Sequence, residues 1–202
     1  IVKSLARPGG NITGFSTLNR ELSGKRLELI KEAVPGMSRA AVLWDVNGPG
    51  PAVAIKEFKA VGPALKIQLQ SLEVHGPDPD LDGAFRAAVK GRANAIVVSQ
   101  NPLLSRYRKR IADLAIKNRL PSTCDETRWV EEGCLMTYGT NTSDQYRRAA
   151  YYVDRILKGT KPADLPVEQP MKFEFVINLK TANQIGLTMP QWTLMKADRV
   201  IK

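Results

Sequence analysis

Residues 81–102 read Leu81-Asp82-Gly83-Ala84-Phe85-Arg86-Ala87-Ala88-Val89-Lys90-Gly91-Arg92-Ala93-Asn94-Ala95-Ile96-Val97-Val98-Ser99-Gln100-Asn101-Pro102, and this stretch decides the fold. Leu81, Ala84, Phe85, Ala88 and Val89 recur at i, i+3, i+4, i+7 and i+8, the spacing of an amphipathic helix, with Asp80 placed to cap it. Ala95–Val98 is short, apolar and β-branched, as a strand covered on both faces would be. Pro102 then suits the first turn of another helix. A helix feeding a doubly covered strand that feeds a helix is the repeat unit of a parallel α/β sheet.

The same alternation extends in both directions. Residues 23–34 read as a helix with Leu27, Ile30 and Val34 on one side and Pro35-Gly36 as its stop. Ala40–Trp44 has strand length, and Asn47-Gly48-Pro49-Gly50-Pro51 forms a loop into a helix faced by Ile55, Phe58 and Val61. Ile67–Val74 alternates like a strand near a sheet edge. Beyond Pro102 the pattern predicts a helix to about 118 and strands at 120–123 and 135–138. A capping box, Thr142-Ser143-Asp144-Gln145, opens a helix with Tyr146, Ala149, Ala150, Val153 and Ile156 on one face, stopped by Gly159. A Pro-containing connection (160–170), a strand at 173–177 and two short helices close the chain. The predicted class is α/β: a Rossmann-like parallel sheet flanked by helices on both faces.

Ligands of such sheets sit at the carboxyl ends of the strands, near a topological switch. That rule selects Asp45 and Asn47 after the first strand, and Ser99, Gln100 and Asn101 after the strand at 95–98. It adds Cys124, Asp125 and Glu126 after 120–123, and Gly139 after 135–138. Ordinary loop polarity and capping explain any one of these equally well; Asn101 before Pro102 is itself a natural N-cap. Asp45, Asp125 and Glu126 suit counter-ions for a ligand ammonium, or acid/base groups. With no metal ligands or nucleophile nearby, binding is the simpler role. Trp44 and Tyr138 stand at the same rim and suit either ligand stacking or core packing.

Composition removes other classes. The 202 residues are 43% hydrophobic, which excludes wholesale disorder, and the single His75 excludes multi-His metal sites. Two cysteines exclude a four-Cys zinc ribbon. No stretch of 18 or more apolar residues is present. There is no GxGxxG, no GxxxxGK[ST] and no G-x-S-x-G, so no cofactor and no metal is expected. A pairing of His75 with Cys124 or Cys134 lacks motif spacing. Those two cysteines lie ten residues apart across a turn containing Trp129. A disulfide and two buried thiols are both open, and a helical turn between them favours thiols. The net charge of +10 peaks at Arg106-Tyr107-Arg108-Lys109-Arg110. Apolar residues at helical spacing interleave that run, which reads as a solvated helix face rather than a nucleic-acid arm.

Four stretches carry a resemblance. They are Ala6-Arg7-Pro8-Gly9-Gly10-Asn11-Ile12-Thr13-Gly14, Ser23-Gly24-Lys25-Arg26-Leu27-Glu28-Leu29, Tyr152-Val153-Asp154-Arg155-Ile156-Leu157-Lys158-Gly159, and Pro162–Pro170 continuing through Phe173 to Lys180. Together they resemble the substrate-binding proteins of ABC transporters, of the type with tryptophan- and tyrosine-binding members and the periplasmic binding protein type I fold. The resemblance implies a non-enzymatic protein, periplasmic or lipid-anchored at the outer face of the cytoplasmic membrane. It would close two lobes on a small organic solute, an amino acid on the family's pattern, and deliver it to a membrane permease. Residues 18–137 and 165–202 would form lobe 2, with 1–17 and 138–164 as remnants of lobe 1 and hinge. The rest of lobe 1 and the export signal would lie ahead of Ile1, which is not an initiator Met. The implied ligand-binding set is Thr13, Ser16, Asn47, Ser99, Gln100, Asn101, Asp125, Glu126, Tyr138 and Gly139, to which the strand-end rule adds Asp45. Two departures from the family's pattern bear on ligand class: Asp45-Val46-Asn47-Gly48-Pro49 stands where an Asn-Pro pair is usual, and Cys124 is unusual at its place. An exposed apolar face on the helix after Thr142 would favour a dimer or swapped assembly of this chain. The alternatives are a ligand-sensing regulatory domain of the same fold and a Rossmann-like enzyme.

Overall fold

Alternate side chains of strand β1 (Arg39–Asp45) enter two separate cores. Ala40 and Val42 pack in one cluster with Leu27, Ile30 and Phe58; Ala41 and Leu43 pack in the other with Leu81, Phe85 and Ile111. The period-2 alternation of a strand puts these sets on opposite faces, so β1 lies in the middle layer of a three-layer sandwich. The computed structural model describes residues 2–18, 21–48, 51–99 and 101–202. Pro49 and Gly50, part of the predicted loop after β1, lie outside the described residues.

Around β1 the order is α1 (Ser23–Ala33), β1, α2 (Pro51–Val61), β2 (Gln68–Val74), α3 (Leu81–Lys90), β3 (Ala95–Val98), α4 (Pro102–Arg106), α5 (Arg108–Lys117), β4 (Ser122–Cys124), α6 (Thr127–Glu131) and β5 (Met136–Thr140). Then follow α7 (Thr142–Leu157), a 3-10 turn (Pro162–Asp164), β6 (Phe173–Asn178), α8 (Leu179–Ile185), α9 (Gln191–Met195) and β7 (Arg199–Ile201). The strands form one sheet in the order β2-β1-β3-β4-β5-β6-β7. The pairs β1–β2, β1–β3, β3–β4, β4–β5 and β6–β7 are parallel, with β2 at the edge as its alternation predicts. The α/β class read from the sequence is the observed one.

Side-chain caps fix several helix starts. Gly83 N donates to Asp80 Oδ1 (2.8 Å) at α3, and Leu104 N donates to Asn101 Oδ1 (2.8 Å) at α4. The expected cap at Thr142 moves back one residue: Asp144 N donates to Asn141 Oδ1 (3.2 Å). The helix expected over 102–118 is two helices that break at Tyr107, whose hydroxyl donates to the Pro77 carbonyl (2.6 Å).

The chain divides into two compact units, Ile1–Leu18 with Thr140–Phe173, and Asn19–Gly139 with Glu174–Lys202. In the smaller unit, Ser16 N donates to the Glu168 carbonyl (2.9 Å) and Glu168 N to the Gly14 carbonyl (3.0 Å). Arg148 forms a two-pronged ion pair with Glu168 (2.8 and 2.6 Å), and Tyr152 OH donates to Glu168 Oε1 (3.0 Å). The larger unit holds both hydrophobic clusters.

Candidate functional site

The order β2-β1-β3 reverses at β1, so the topological switch lies between β1 and β3, and the residues closing those two strands line it. Asp45 and Asn101 meet there. Asn101 Nδ2 donates to Asp45 Oδ2 (2.5 Å), and Asn47 N donates to Asp45 Oδ1 (3.0 Å). Ser99 is buried beside them, its N–H given to the Leu43 carbonyl (2.9 Å). Both Asp45 oxygens therefore have partners, and Asn101 spends its oxygen on the α4 cap. This corner is a built frame around the switch. Gln100 lies outside the described residues.

A second cluster forms where β4 and β5 end. Asp125 is only 7% exposed, and Arg26, projecting from α1, only 4%. Arg26 Nε donates to the Tyr138 carbonyl (2.7 Å). Burial pushes the Asp125 carboxyl up to about 7; the Arg26 charge opposes that rise and Glu126 adds to it. Burial also lowers the Arg26 pKa, against the attraction of Asp125. Asp125 Oδ1 finds no hydrogen-bond partner among the described residues, nor does Thr123 Oγ1 two residues earlier in β4. Gly139 permits this approach: a Cβ there would overlap the Asp125 carbonyl oxygen and stand 3.7 Å from Arg26 Nη2. A buried carboxylate with an unfilled oxygen, set against a guanidinium, has the charges to meet a small polar or zwitterionic solute.

The strand shifts adjust several assignments. Gly139 lies within β5 rather than after it, Tyr138 stands inside β5 rather than at its end, and Cys124 ends β4 rather than following it. Tyr138 packs edge-on against Phe175 (6.5 Å), and Trp44 Nε1 donates to Ser71 Oγ (2.7 Å), so both rim aromatics are held by the protein. Glu126 is half-buried at the start of α6. Thr13 and Ser16 belong to the smaller unit, where Thr13 Oγ1 donates to the Leu165 carbonyl (2.7 Å) and the Ser16 carbonyl accepts from Gln145 Nε2 (3.1 Å).

Three residues went differently from the sequence reading. Arg26 was missed, because a charged residue beside Leu27 reads as solvated; its one signal was its place in a stretch carrying the family resemblance. Cys124 and Cys134, favoured above as thiols, form a buried disulfide with Cα atoms 6.8 Å apart. The intervening helix is the single short α6, and Cys134 lies two residues before β5, the strand that pairs with β4 where Cys124 ends it, which keeps the two within bonding reach. His75 is exposed, so no Cys–His pair exists.

An open cleft of about 810 Å³ also lies in the smaller unit, lined by Leu5, Phe15, Gln145, Arg148, Glu168 and Met171. Of its four charged residues, Arg148 pairs with Glu168 and Asp144 with Arg147, which leaves Lys172. Buried side-chain atoms without a partner among the described residues are Asp125 Oδ1 and Thr123 Oγ1 at the sheet rim, and Gln70 Oε1 and Trp129 Nε1.

The doubly covered parallel sheet, with buried polar groups gathered at its carboxyl edge, is that of an α/β protein with a periplasmic-binding-protein-like fold. More particularly, the chain belongs to the ABC transporter substrate binding protein family, whose model matches residues 1–201. It is 23% identical over 206 residues to a tyrosine-binding protein of Clostridioides difficile (strain R20291), covering 100% of this chain and 58% of that protein. It is 27% identical, with a TM-score of 0.83, to an ABC domain from Streptococcus pneumoniae solved in complex with L-Trp, covering 99% of this chain and 68% of that one. A conserved domain protein from Vibrio cholerae is 25% identical with a TM-score of 0.88, over 98% of this chain and 66% of that one. The chain thus spans little more than half the length of the curated relative it matches.

Proposed function

We propose that this protein is the solute-binding component of an ABC importer. It holds a small organic solute, an amino acid in the first instance, at the carboxyl edge of the larger unit's sheet and delivers it to a membrane permease. Residues 18–137 and 165–202 act as one lobe, and 1–17 with 138–164 belong to the other lobe and the hinge, closing over the solute. The observation that carries this reading is the buried Asp125–Arg26 cluster with its unfilled carboxylate oxygen. Asp125 takes the solute ammonium, with Arg26 as the complementary charge and Glu126, Asn47 and Ser99 at the rim. Thr13 and Ser16 contribute from the hinge side. The tyrosine and L-Trp in the names of two relatives put aromatic amino acids first among candidates. The Cys124–Cys134 disulfide supports an extracytoplasmic location, since such bonds persist in oxidising compartments. The protein needs no catalytic group for this role.

The test is a thermal-shift and calorimetric screen of the full-length protein against amino acids and aromatic acids. A true ligand at 100 times its Kd stabilises by about 2.7 kcal/mol. Asp125→Asn should weaken that ligand by at least about tenfold, because it removes the charge facing the ammonium. Unchanged affinity in the variant would sink the assignment of Asp125. Steady turnover of a small substrate that Asp125→Asn abolishes would replace binding with catalysis.

A further inference from the structure

The edge of the sheet opposite the candidate site collects the carboxyl ends of the helices. Helices α2, α3 and α5 each lead there into a residue with left-handed backbone: Lys66 (φ 55°), Arg92 (φ 56°) and Arg119 (φ 52°). These are three of the four described non-glycine residues with positive φ. Each turn closes with a six-residue hydrogen bond: Ile67 N to the Gly62 carbonyl (2.9 Å), Ala93 N to Ala88 (3.0 Å) and Leu120 N to Ala115 (2.9 Å). Glycine or asparagine normally takes this position, since a Cβ there is strained. Three long cations at one edge therefore need a reason.

Helix dipoles do not supply it, because Lys59, Lys90 and Lys117 already stand in the last turns of those helices. Internal pairing does not either. The side chains of Lys66, Arg92 and Arg119 are exposed and make no hydrogen bond or ion pair with any described residue. The denser run in α5 behaves differently: Arg108 pairs with Glu132, Lys109 with Asp113 and Arg110 with Asp82. The three turns are also neighbours. They precede β2, β3 and β4, which with β1 are consecutive in the sheet, so they span about 15 Å at the usual strand spacing. Beside Arg119 opens a groove of about 390 Å³ of mixed lining, with Val34, Val89, Leu120 and Leu187 alongside Asn94 and Asn118. Val89 is 48% exposed.

We infer that this edge of the larger unit docks on an anionic phospholipid bilayer, with Lys66, Arg92 and Arg119 on headgroup phosphates and the groove's apolar side chains against the glycerol–acyl region of a lipid. Unpaired cations beside a groove that carries both polar and apolar side chains fit an amphiphile with a phosphate head. Single-stranded nucleic acid would use the same cations, but its bases need aromatic platforms, and none lines the groove. The docking does not depend on any solute in the candidate site.

The experiment is co-sedimentation of the chain with vesicles of mixed phosphatidylcholine and phosphatidylglycerol, against vesicles of phosphatidylcholine alone. Binding should be confined to the anionic vesicles and weaken with salt. The K66G/R92G/R119G variant removes the charges where glycine suits the backbone, so its melting temperature should hold or rise. K66N/R92N/R119N tolerates the same φ and gives an independent check on folding. Each surface cation strengthens anionic-membrane binding about fivefold, so both variants should lose about 100-fold in vesicle affinity. Equal binding to phosphatidylcholine vesicles, or variants that bind within threefold of the parent, would overturn the proposal. So would tighter, salt-sensitive binding to a DNA duplex lost in the same variants, which would reassign the edge to nucleic acid.

Discussion

A carboxylic acid enclosed beside a guanidinium has to choose its protonation state, and Asp125 does so near neutrality. Its carboxyl is raised from 3.8 to about 7, burial being the larger cause and the Arg26 charge the restraint. The folded-state pKa lies above the unfolded one, so the contribution of Asp125 to stability is full below about pH 4. It is lost as pH rises towards 7 and stays constant above that. The difference in unfolding free energy between the parent and Asp125→Asn should therefore change by about 1 kcal/mol per pH unit across that window, in the direction of relative loss for the parent. Urea unfolding of both proteins at several values between pH 4 and 8 measures it. A pH-independent difference would mean that water reaches the carboxylate and that the site is open. Asp45, another rim carboxylate, has both oxygens bonded by Asn47 and Asn101, and its replacement should act on folding of the switch rather than on this titration.

At the scale of elements, the β4–α6–β5 connection positions Asp125, and the Cys124–Cys134 bond closes it over ten residues. Opening that loop by C124A/C134A should cost about 2–3 kcal/mol, chiefly through the freed unfolded chain, seen as a lower urea midpoint. A loss under about 0.5 kcal/mol would mean that packing of the fully buried Trp129 holds the connection instead. This connection also shows what the sequence can reveal. The order of helices and strands was legible because each carries a period set by burial: Ala95–Val98 reads as doubly covered and is. The ends of β4 and β5 were not, since Pro121, Ser122, Thr137 and Tyr138 give no periodic contrast across a three- to five-residue strand. The short β7 went unseen, because Arg199–Ile201 is too brief to show alternation. Asp45, Ser99, Asn101 and Asp125 were legible as a rim, through strand ends alone. Which of them keeps an unfilled oxygen depends on partners from distant segments, Arg26 on α1 above all, and no local pattern encodes that.

On the scale of the whole molecule, apolar burial is divided unequally. The larger unit owns both hydrophobic clusters, while the large apolar side chains buried in the smaller unit are, among the described residues, Tyr152 and Leu165. Helix α7 shows the consequence. Tyr146, Val153 and Leu157 recur at i, i+7 and i+11, close to one helical stripe, and are 66%, 56% and 81% exposed. The flanking cations are already engaged, Arg147 with Asp144 and Lys158 with Asp154, so they do little to discourage contact. An apolar stripe framed by paired charges is an interface waiting for a partner, and for this chain in isolation a second copy is the partner at hand. We expect the 202-residue chain to self-associate through paired α7 helices. Light scattering across a concentration series should show a mass rising from 22.3 kDa towards twice that value. Tyr146→Glu with Val153→Glu should restore the monomer without lowering the melting temperature, because both side chains are solvated in the single chain. A monomer mass independent of concentration would show that the smaller unit tolerates its exposed helix. A dimer that survives both substitutions would move the interface elsewhere.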